Sequence, residues 1–301
     1  MTSLEDADKL FKKASKLCTP SLLHLRLSFD WEQATPMFER AAAIYRTKKN
    51  LDKARQCYEK AATGQDRQGS PWHAGKMMEK AAEVCKEGPG SQVETAELYR
   101  QAAKYYAEAG RAQTSGESLC RGAKVVEDKD PALAGKLYLE AIEAVEDDGK
   151  EGLSGDMYRQ AIAFHIRAQQ WSDAVLLLTR FASACDSANL RSSQCRAYLS
   201  AVVVLLYAQD TLQAFNVYQD ALGVSNFSSS DEAFVAEALF EAYRSQDAEE
   251  VKRVVKAKHV LSDLDNAVAR LARQLPTGSI QMVQLGPSKI QTDDLDADDL
   301  T

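Results

Sequence analysis

The sequence predicts an all-α fold, a right-handed α-solenoid of antiparallel helix hairpins finished by a C-terminal helical cap. Three observations predict it. Of 301 residues 45 are Ala, against only 15 Gly and 7 Pro, a balance that favours helix over strand because Ala is the strongest helix former and Gly and Pro are the strongest breakers. One pattern of small and large residues recurs down most of the chain, at offsets of −4, +3, +4 and +7 around a large anchor, and these offsets describe one face of a helix. Successive anchors lie 19 to 21 residues apart, which leaves room for a helix of roughly 15 to 17 residues, about 24 Å long, and a short turn.

Taken in order, residues 3–17 form the first helix, with Ser3 and Asp6 spaced as a capping box and Leu4, Ala7, Leu10, Phe11, Ala14 and Leu17 on one face. The anchors then begin at Phe38 (Ala34, Ala41, Ala42, Tyr45), Tyr58 (Ala54, Ala61, Ala62), Met78 (Ala74, Ala81, Ala82, Cys85) and Tyr99 (Ala102, Ala103, Tyr106). They continue through Leu119, Tyr138, Tyr158, Leu178, Leu199, Tyr218 and Leu239, making eleven repeating helices. Short connections force neighbours to pack antiparallel, and paired small residues at +3 and +4 let backbones approach closely. Hairpins repeating near every 40 residues make a tetratricopeptide-like solenoid, although a peptide clamp of that type repeats every 34. Turn residues fall between anchors at Lys48-Lys49-Asn50, Gly64 to Gly69, Gly88-Pro89-Gly90, Gly110, Asp130-Pro131 and Asp147-Asp148-Gly149. Pro36, two residues before its anchor, either follows a Thr35 cap or kinks the helix. Beyond Leu239, Ala248 to Val260 and Ser262 to Leu275 read as two further helices, the second carrying Leu264, Val268, Leu271 and Leu275 and stopped by Pro276.

These elements divide the chain into an N-terminal helix and apolar loop (1–30), a hairpin solenoid (31–230), a helical cap (231–276) and an acidic tail (277–301). The formal net charge is −7, and five of those charges sit in Asp293 to Thr301, so the remainder is close to neutral. A chain of this charge is a poor general nucleic-acid binder, because phosphate affinity comes from neutralisation by Lys and Arg. The longest apolar run, Ala201 to Ala208, is far short of the roughly 20 residues a spanning helix needs. The N-terminus has the mixed polarity of a chain without a secretory signal.

Catalytic chemistry has no footing. There is no phosphate-binding glycine loop, and the four histidines (24, 73, 165, 259) are far apart without zinc-ligand spacing. His165 falls on a core-facing +7 position and reads as a hydrogen-bonded core residue. The six cysteines (18, 57, 85, 120, 185, 195) form no Cys-x-x-Cys and read as reduced core thiols, and the sequon Asn226-Phe227-Ser228 is inert in a cytosolic chain. No enzyme activity, metal, cofactor or small-molecule substrate is expected.

Two segments ask for a function. Leu22, Leu23, Leu25, Leu27 and Phe29 crowd the loop between the first two helices, either tucked over the first repeat or exposed to a membrane or partner. Asp293, Asp294, Leu295, Asp298, Asp299 and Leu300 belong to a tail that is either a solubilising end or a docking peptide whose acids steer and whose leucines anchor.

Together these features resemble the soluble NSF attachment proteins, the adaptors that recruit the hexameric AAA ATPase N-ethylmaleimide-sensitive factor (NSF) to SNARE complexes. The resemblance covers essentially the whole chain. Its most specific residues are the Ala-x-x-x-aromatic-x-x-Ala-Ala runs at Phe38 and Tyr58, Ala109-Gly110-Arg111, Leu261-Ser262-Asp263-Leu264-Asp265 and the penultimate Leu300. The loop and the extension after Pro276 are more similar to the gamma form than to the alpha or beta forms. The resemblance implies an adaptor on the cytosolic face of membranes in vesicle transport, with a SNARE complex, the ATPase and a transient membrane surface as partners. It implies membrane contact by the apolar loop, although the family's adjacent phenylalanines are replaced here by leucines and Phe29. It implies ATPase stimulation by the tail through Leu300, although the last residue, usually Arg, is Thr301. It implies a basic SNARE-binding face with Arg111 and Arg159, although Glu117 stands where the family has a lysine. The competing reading is a generic tetratricopeptide-like scaffold of another assembly.

Overall fold

The computed structural model describes residues 3–19, 29–88, 90–149, 152, 154–257 and 259–277. Fifteen α-helices occur among them: α1 (Leu4–Leu17), α2 (Trp31–Thr47), α3 (Leu51–Arg67), α4 (Pro71–Glu87), α5 (Gln92–Glu108), α6 (Ala112–Val126), α7 (Pro131–Glu146), α8 (Gly155–Arg167), α9 (Trp171–Ser187), α10 (Arg191–Tyr207), α11 (Thr211–Leu222), α12 (Ser225–Ser228), α13 (Asp231–Arg244), α14 (Ala248–Ala257) and α15 (Asn266–Ala272). The described residues include no strand. The described residues fall into two compact units, the first ending at Ala197 and the second beginning at Tyr198.

In the first unit each helix from α1 to α8 packs on the next, and α6 also touches α8. The anchors explain this. Phe38, Tyr58, Met78, Tyr99, Leu119, Tyr138, Tyr158 and Leu178 are all buried, and the small residues around them are sealed: Ala34, Ala41, Ala42, Ala54, Ala61, Ala62, Ala81 and Ala82 expose nothing. The Ser3–Asp6 capping box opens α1 as expected, each side chain accepting from the other residue's backbone N–H.

The turns account for the 20-residue register. Six of them share one geometry, in which a residue in the left-handed region (Lys49, Gly69, Gly110, Gln169, Asn189, Gln209; φ 56° to 72°) precedes a residue whose N–H reaches five positions back. The bonds run from Asn50 to Tyr45 (2.9 Å), Ser70 to Gln65 (2.9 Å), Arg111 to Tyr106 (2.8 Å), Gln170 to His165 (2.9 Å), Leu190 to Cys185 (2.8 Å) and Asp210 to Leu205 (3.0 Å). This is the Schellman termination. Asn50, Ser70, Arg111, Gln170 and Asp210 are also the N-caps of the following helices, so one residue closes one helix and opens the next.

In the second unit α13 is central, packing on α11, α12, α14 and a 3-10 turn at His259–Leu261. Its core is aromatic, with Phe215, Tyr218 and Phe240 meeting at centroid distances of 5.3 to 6.4 Å. The short α12, which the repeat pattern does not predict, inserts the fully buried Phe227 against Tyr198 (5.5 Å) and Tyr218 (6.4 Å).

Four expectations are corrected. Helix α2 starts at Trp31 with Asp30 as its side-chain cap and runs through Pro36, so Thr35 is not a cap; its hydroxyl donates to the Trp31 carbonyl (2.7 Å). Gly64 lies inside α3 rather than in a turn: a Cβ there would stand 2.1 Å from the Thr35 hydroxyl, so the close crossing of α2 and α3 demands glycine. The helix expected over Ala248 to Val260 ends at Ala257, before the 3-10 turn. The helix expected over Ser262 to Leu275 shortens to Asn266–Ala272, although Leu264, Val268, Leu271 and Leu275 are buried as its pattern requires.

Lys49, Gln169 and Gln209 hold a backbone conformation that costs an L side chain about 1–2 kcal/mol, against roughly 0.5–1 kcal/mol of chain entropy for glycine. Replacing any one by Gly should therefore stabilise the protein by about 0.5 kcal/mol in urea unfolding. Destabilisation by all three would mean that the left-handed backbone costs these side chains less than glycine loses in chain entropy.

Candidate functional site

The candidate site is a protein-binding surface, so the first question is which charged side chains the fold consumes. Repeat-spanning ion pairs run in two series. On the even-numbered helices Arg46 of α2 binds Glu83 (3.3 Å) and Glu87 (2.5 Å) of α4, Arg121 of α6 binds Glu79 of α4 (2.8 Å), and Arg167 of α8 binds Glu127 just past α6 (2.6 Å). On the odd-numbered helices Arg55 of α3 pairs with Glu94 of α5, Arg100 of α5 grips Glu140 of α7 through two bonds of 2.9 Å, and Arg180 of α9 binds Glu146 of α7 (2.5 Å). Each pair joins a helix to its equivalent one hairpin away.

Three of these carboxylates do double duty. Tyr106 donates to Glu79 (2.9 Å), Tyr138 to Glu127 (2.6 Å) and Tyr158 to Glu146. The glutamates are only 16–17% exposed at the side chain, so these are partly desolvated, charge-assisted bonds. Burial first, and the nearby carboxylate second, push all three phenols well above the ordinary tyrosine range, which keeps them as donors. At the N-terminal end Asp8 plays the same part, accepting from Lys53 (2.7 Å) and Tyr45 (2.5 Å), and these bonds hold its carboxyl below the usual range.

Four cations outside these ion pairs lie over aromatic rings. Lys60 sits over the Phe38 ring (5.9 Å), Lys80 over Tyr58 (5.8 Å), and Lys76 (4.9 Å) and Arg111 (5.9 Å) share the Trp72 ring. An aromatic face supports such a cation while leaving it solvated. Arg111 is exposed at the N-cap of α6. Arg159, on α8, is exposed and paired with Asp156 one turn back, so the two expected basic residues have separate neighbours. Glu117 is exposed on α6 and accepts from Gln113 (3.2 Å). With Arg121 and Lys124 it lines a groove of about 380 Å³ whose opposite wall is Asp156 and Gln160 of α8. The groove alternates in sign.

The lysines over rings were missed from sequence, although a signal exists: the second residue after each anchor is Arg40, Lys60, Lys80, Arg121 and Arg180 in five of the helices. Of the apolar loop, Phe29 is 51% exposed, while Leu22, Leu23, Leu25 and Leu27 lie outside the described residues. So do Asp293, Asp294, Leu295, Asp298, Asp299 and Leu300. His165 is buried as expected, its Nδ1 2.8 Å from the Gln170 side-chain oxygen. Cys57, Cys85, Cys120, Cys185 and Cys195 are buried, and burial pushes the Cys57 and Cys120 thiols up to about 12. Among the described residues no group of His, Cys, Asp and Glu could hold a metal, and no helix is long and apolar enough to cross a membrane.

Residues 5–274 match the family model described as "Soluble NSF attachment protein, SNAP". The chain belongs to the soluble NSF attachment protein family. Similar relatives are a gamma-soluble NSF attachment protein of Arabidopsis thaliana, 39% identical over 98% of this chain and 99% of the relative, and one of Dictyostelium discoideum, 28% identical over 94% and 85%. An alpha-soluble NSF attachment protein of Saccharomyces cerevisiae is 24% identical over 84% of this chain and 89% of the relative. The resemblance is therefore greater to these gamma forms than to this alpha form. The attachment proteins are adaptor scaffolds rather than enzymes, in keeping with a surface built of ion pairs and supported lysines.

Within this attachment protein the glutamates that serve two donors should matter most. Glu146→Ala strands the buried Tyr158 phenol and unpairs Arg180, at a cost of about 2–3 kcal/mol in chemical denaturation. Glu249→Ala, which breaks only the exposed pair with Lys252, should cost less than about 0.5 kcal/mol. Equal costs would deny the tyrosine–carboxylate–arginine clusters a structural role.

Proposed function

We propose that this protein is an adaptor that binds assembled SNARE complexes on the cytosolic face of membranes and recruits and stimulates the NSF-type hexameric ATPase that takes them apart. The observation that carries the reading is the family match over residues 5–274, which spans the hairpin repeats and the helical cap together. A relative named a vesicular-fusion protein, from Komagataella phaffii and 28% identical over 165 residues, supports the same setting.

The division of labour follows from chemistry. Nucleotide hydrolysis belongs to the ATPase. The adaptor contributes a surface, with Arg111, Arg159 and the ring-supported Lys60, Lys76 and Lys80 offering positive charge to an acidic helical bundle. The segment Leu22, Leu23, Leu25, Leu27 and Phe29 contributes transient membrane contact, and the tail Asp293, Asp294, Leu295, Asp298, Asp299 and Leu300 docks on the ATPase by steering acids and anchoring leucines.

Removing the chain from Asp293 onward should abolish stimulation of the ATPase while SNARE binding persists, measured by nucleotide hydrolysis and pull-down on the same preparations. Stimulation that survives truncation sinks the tail assignment. Replacing Leu22, Leu23 and Phe29 by Ser should slow disassembly of liposome-embedded SNAREs by roughly tenfold, since losing about 1.4 kcal/mol of membrane partitioning is a factor of ten, and should leave soluble SNAREs unaffected. An equal loss on both substrates would remove the membrane from the mechanism.

A further inference from the structure

Between α14 and the end of α15 lies a groove of about 170 Å³ that the adaptor reading leaves unused. Its wall is apolar, made by Val251, Val255 and Leu275, and its rim is basic, made by Lys252, Lys256 and Arg273. The volume is comparable with the ~150 Å³ that accommodates a benzene-sized group, enough for one branched aliphatic side chain. Val251 and Leu275 are buried members of the core, so the floor is fixed, while Lys252, Lys256 and Arg273 are exposed. Lys252 has one ion-pair partner, Glu249 on the same helix face (2.7 Å), a solvent-exposed pair easily exchanged for another carboxylate.

We propose that this groove binds an acidic peptide carrying a leucine, and that its occupant is the chain's own segment Asp293 to Leu300, with Leu295 in the apolar floor and the flanking aspartates on the basic rim. Charge complementarity supports the choice: residues 251–275 contain six Lys and Arg against two Asp, while residues 293–301 contain five Asp and no base. Position supports it as well. The last described residue, Thr277, itself lines the groove, and Tyr243 donates to the Pro276 carbonyl (3.0 Å), which fixes the point where the chain leaves α15. Leu295 follows Thr277 by 18 residues. A chain of that length has a root-mean-square span of about 23 Å, so it folds back without tension, and the effective concentration of a tethered segment is of millimolar order. A contact with a dissociation constant of about 0.1 mM, modest for a free peptide, is then roughly nine-tenths occupied in cis.

Docking in cis withholds Leu300 from any other partner until the segment is displaced, so the groove acts as a self-docking site that competes with use of the tail in trans. The groove contact is independent of which partner the tail serves.

The test uses the full-length chain and zero-length carbodiimide coupling of carboxylates to amines, with linked peptides mapped in the monomer fraction. Links from Asp293–Asp299 to Lys252 or Lys256 are expected, falling at least about fivefold in roughly 1 M salt, where charge attraction is screened, and to a similar degree in Leu295→Ser. Links spread evenly over other lysines, links insensitive to Leu295, or links found only in a dimer fraction would overturn the proposal. As a second measurement, a fluorescent peptide of residues 292–301 should bind the full-length chain at least about tenfold more tightly once its five tail aspartates are Asn, because the groove is then vacant. Equal affinity for both chains would overturn occupancy in cis.

Discussion

The architecture hangs on one turn. A helix that ends in a Schellman motif leaves its last carbonyls satisfied and sends the chain off at a fixed angle. Here the residue that completes the motif is also the cap of the following helix, at Asn50, Ser70, Arg111, Gln170 and Asp210. No spare residue separates termination from initiation. Across these links helix length, link length and the phase of the buried face are thereby locked together, and the anchors on either side lie 19 or 20 residues apart. A one-residue insertion in such a link would rotate the next apolar stripe by about 100° away from its partner. The lock is strong enough that Lys, Gln and Asn accept left-handed backbone conformations at Lys49, Gln169, Asn189 and Gln209 where glycine would be easier.

Once hairpins are phased, like helices of adjacent repeats face each other, and their charged residues find partners about 40 positions away. The even and odd series of arginine–glutamate pairs follow from that geometry, as do the tyrosines that share the same carboxylates. Arginine suits this work because its guanidinium can grip a carboxylate through two parallel bonds, as Arg100 does with Glu140. Lysine, by contrast, carries a hydrated point charge, and Lys60, Lys76 and Lys80 lie over the rings of Phe38, Trp72 and Tyr58. The chain thus divides these cations by chemistry, using Arg46, Arg55, Arg100, Arg121, Arg167 and Arg180 for its own stacking and leaving Lys60, Lys76 and Lys80, with Arg111, over aromatic rings.

Much of this was legible beforehand because helix periodicity is a local property. The eleven anchors all fall in helices and all are buried, and the Ser3–Asp6 box opens α1, since both features depend only on residues within one or two turns of each other. The misreadings were places where a distant neighbour decides. Gly64 looks like a turn residue until Thr35 is set against it across a helix crossing, and Phe227, which lies outside the repeat pattern, is buried because Tyr198 and Tyr218 close around it. Glu79, Glu127 and Glu146 carried no signal as junctions, because their two donors come from different helices. For the same reason Arg111 and Arg159 could be picked out by resemblance, but not their neighbours, Trp72 for one and Asp156 for the other.

By itself, then, the sequence determined the helices, their order, the identity of the buried face and the acidic character of the tail, because composition and spacing act within a single segment. Tertiary structure alone decided which charges are consumed by stacking, where α12 and α15 begin and end, and that a basic rim and an apolar floor meet at the point where the tail departs. The physical reason is common to all three. Each depends on groups brought together from separate helices, and the free energy of such a contact exists only after the turns have fixed which faces meet.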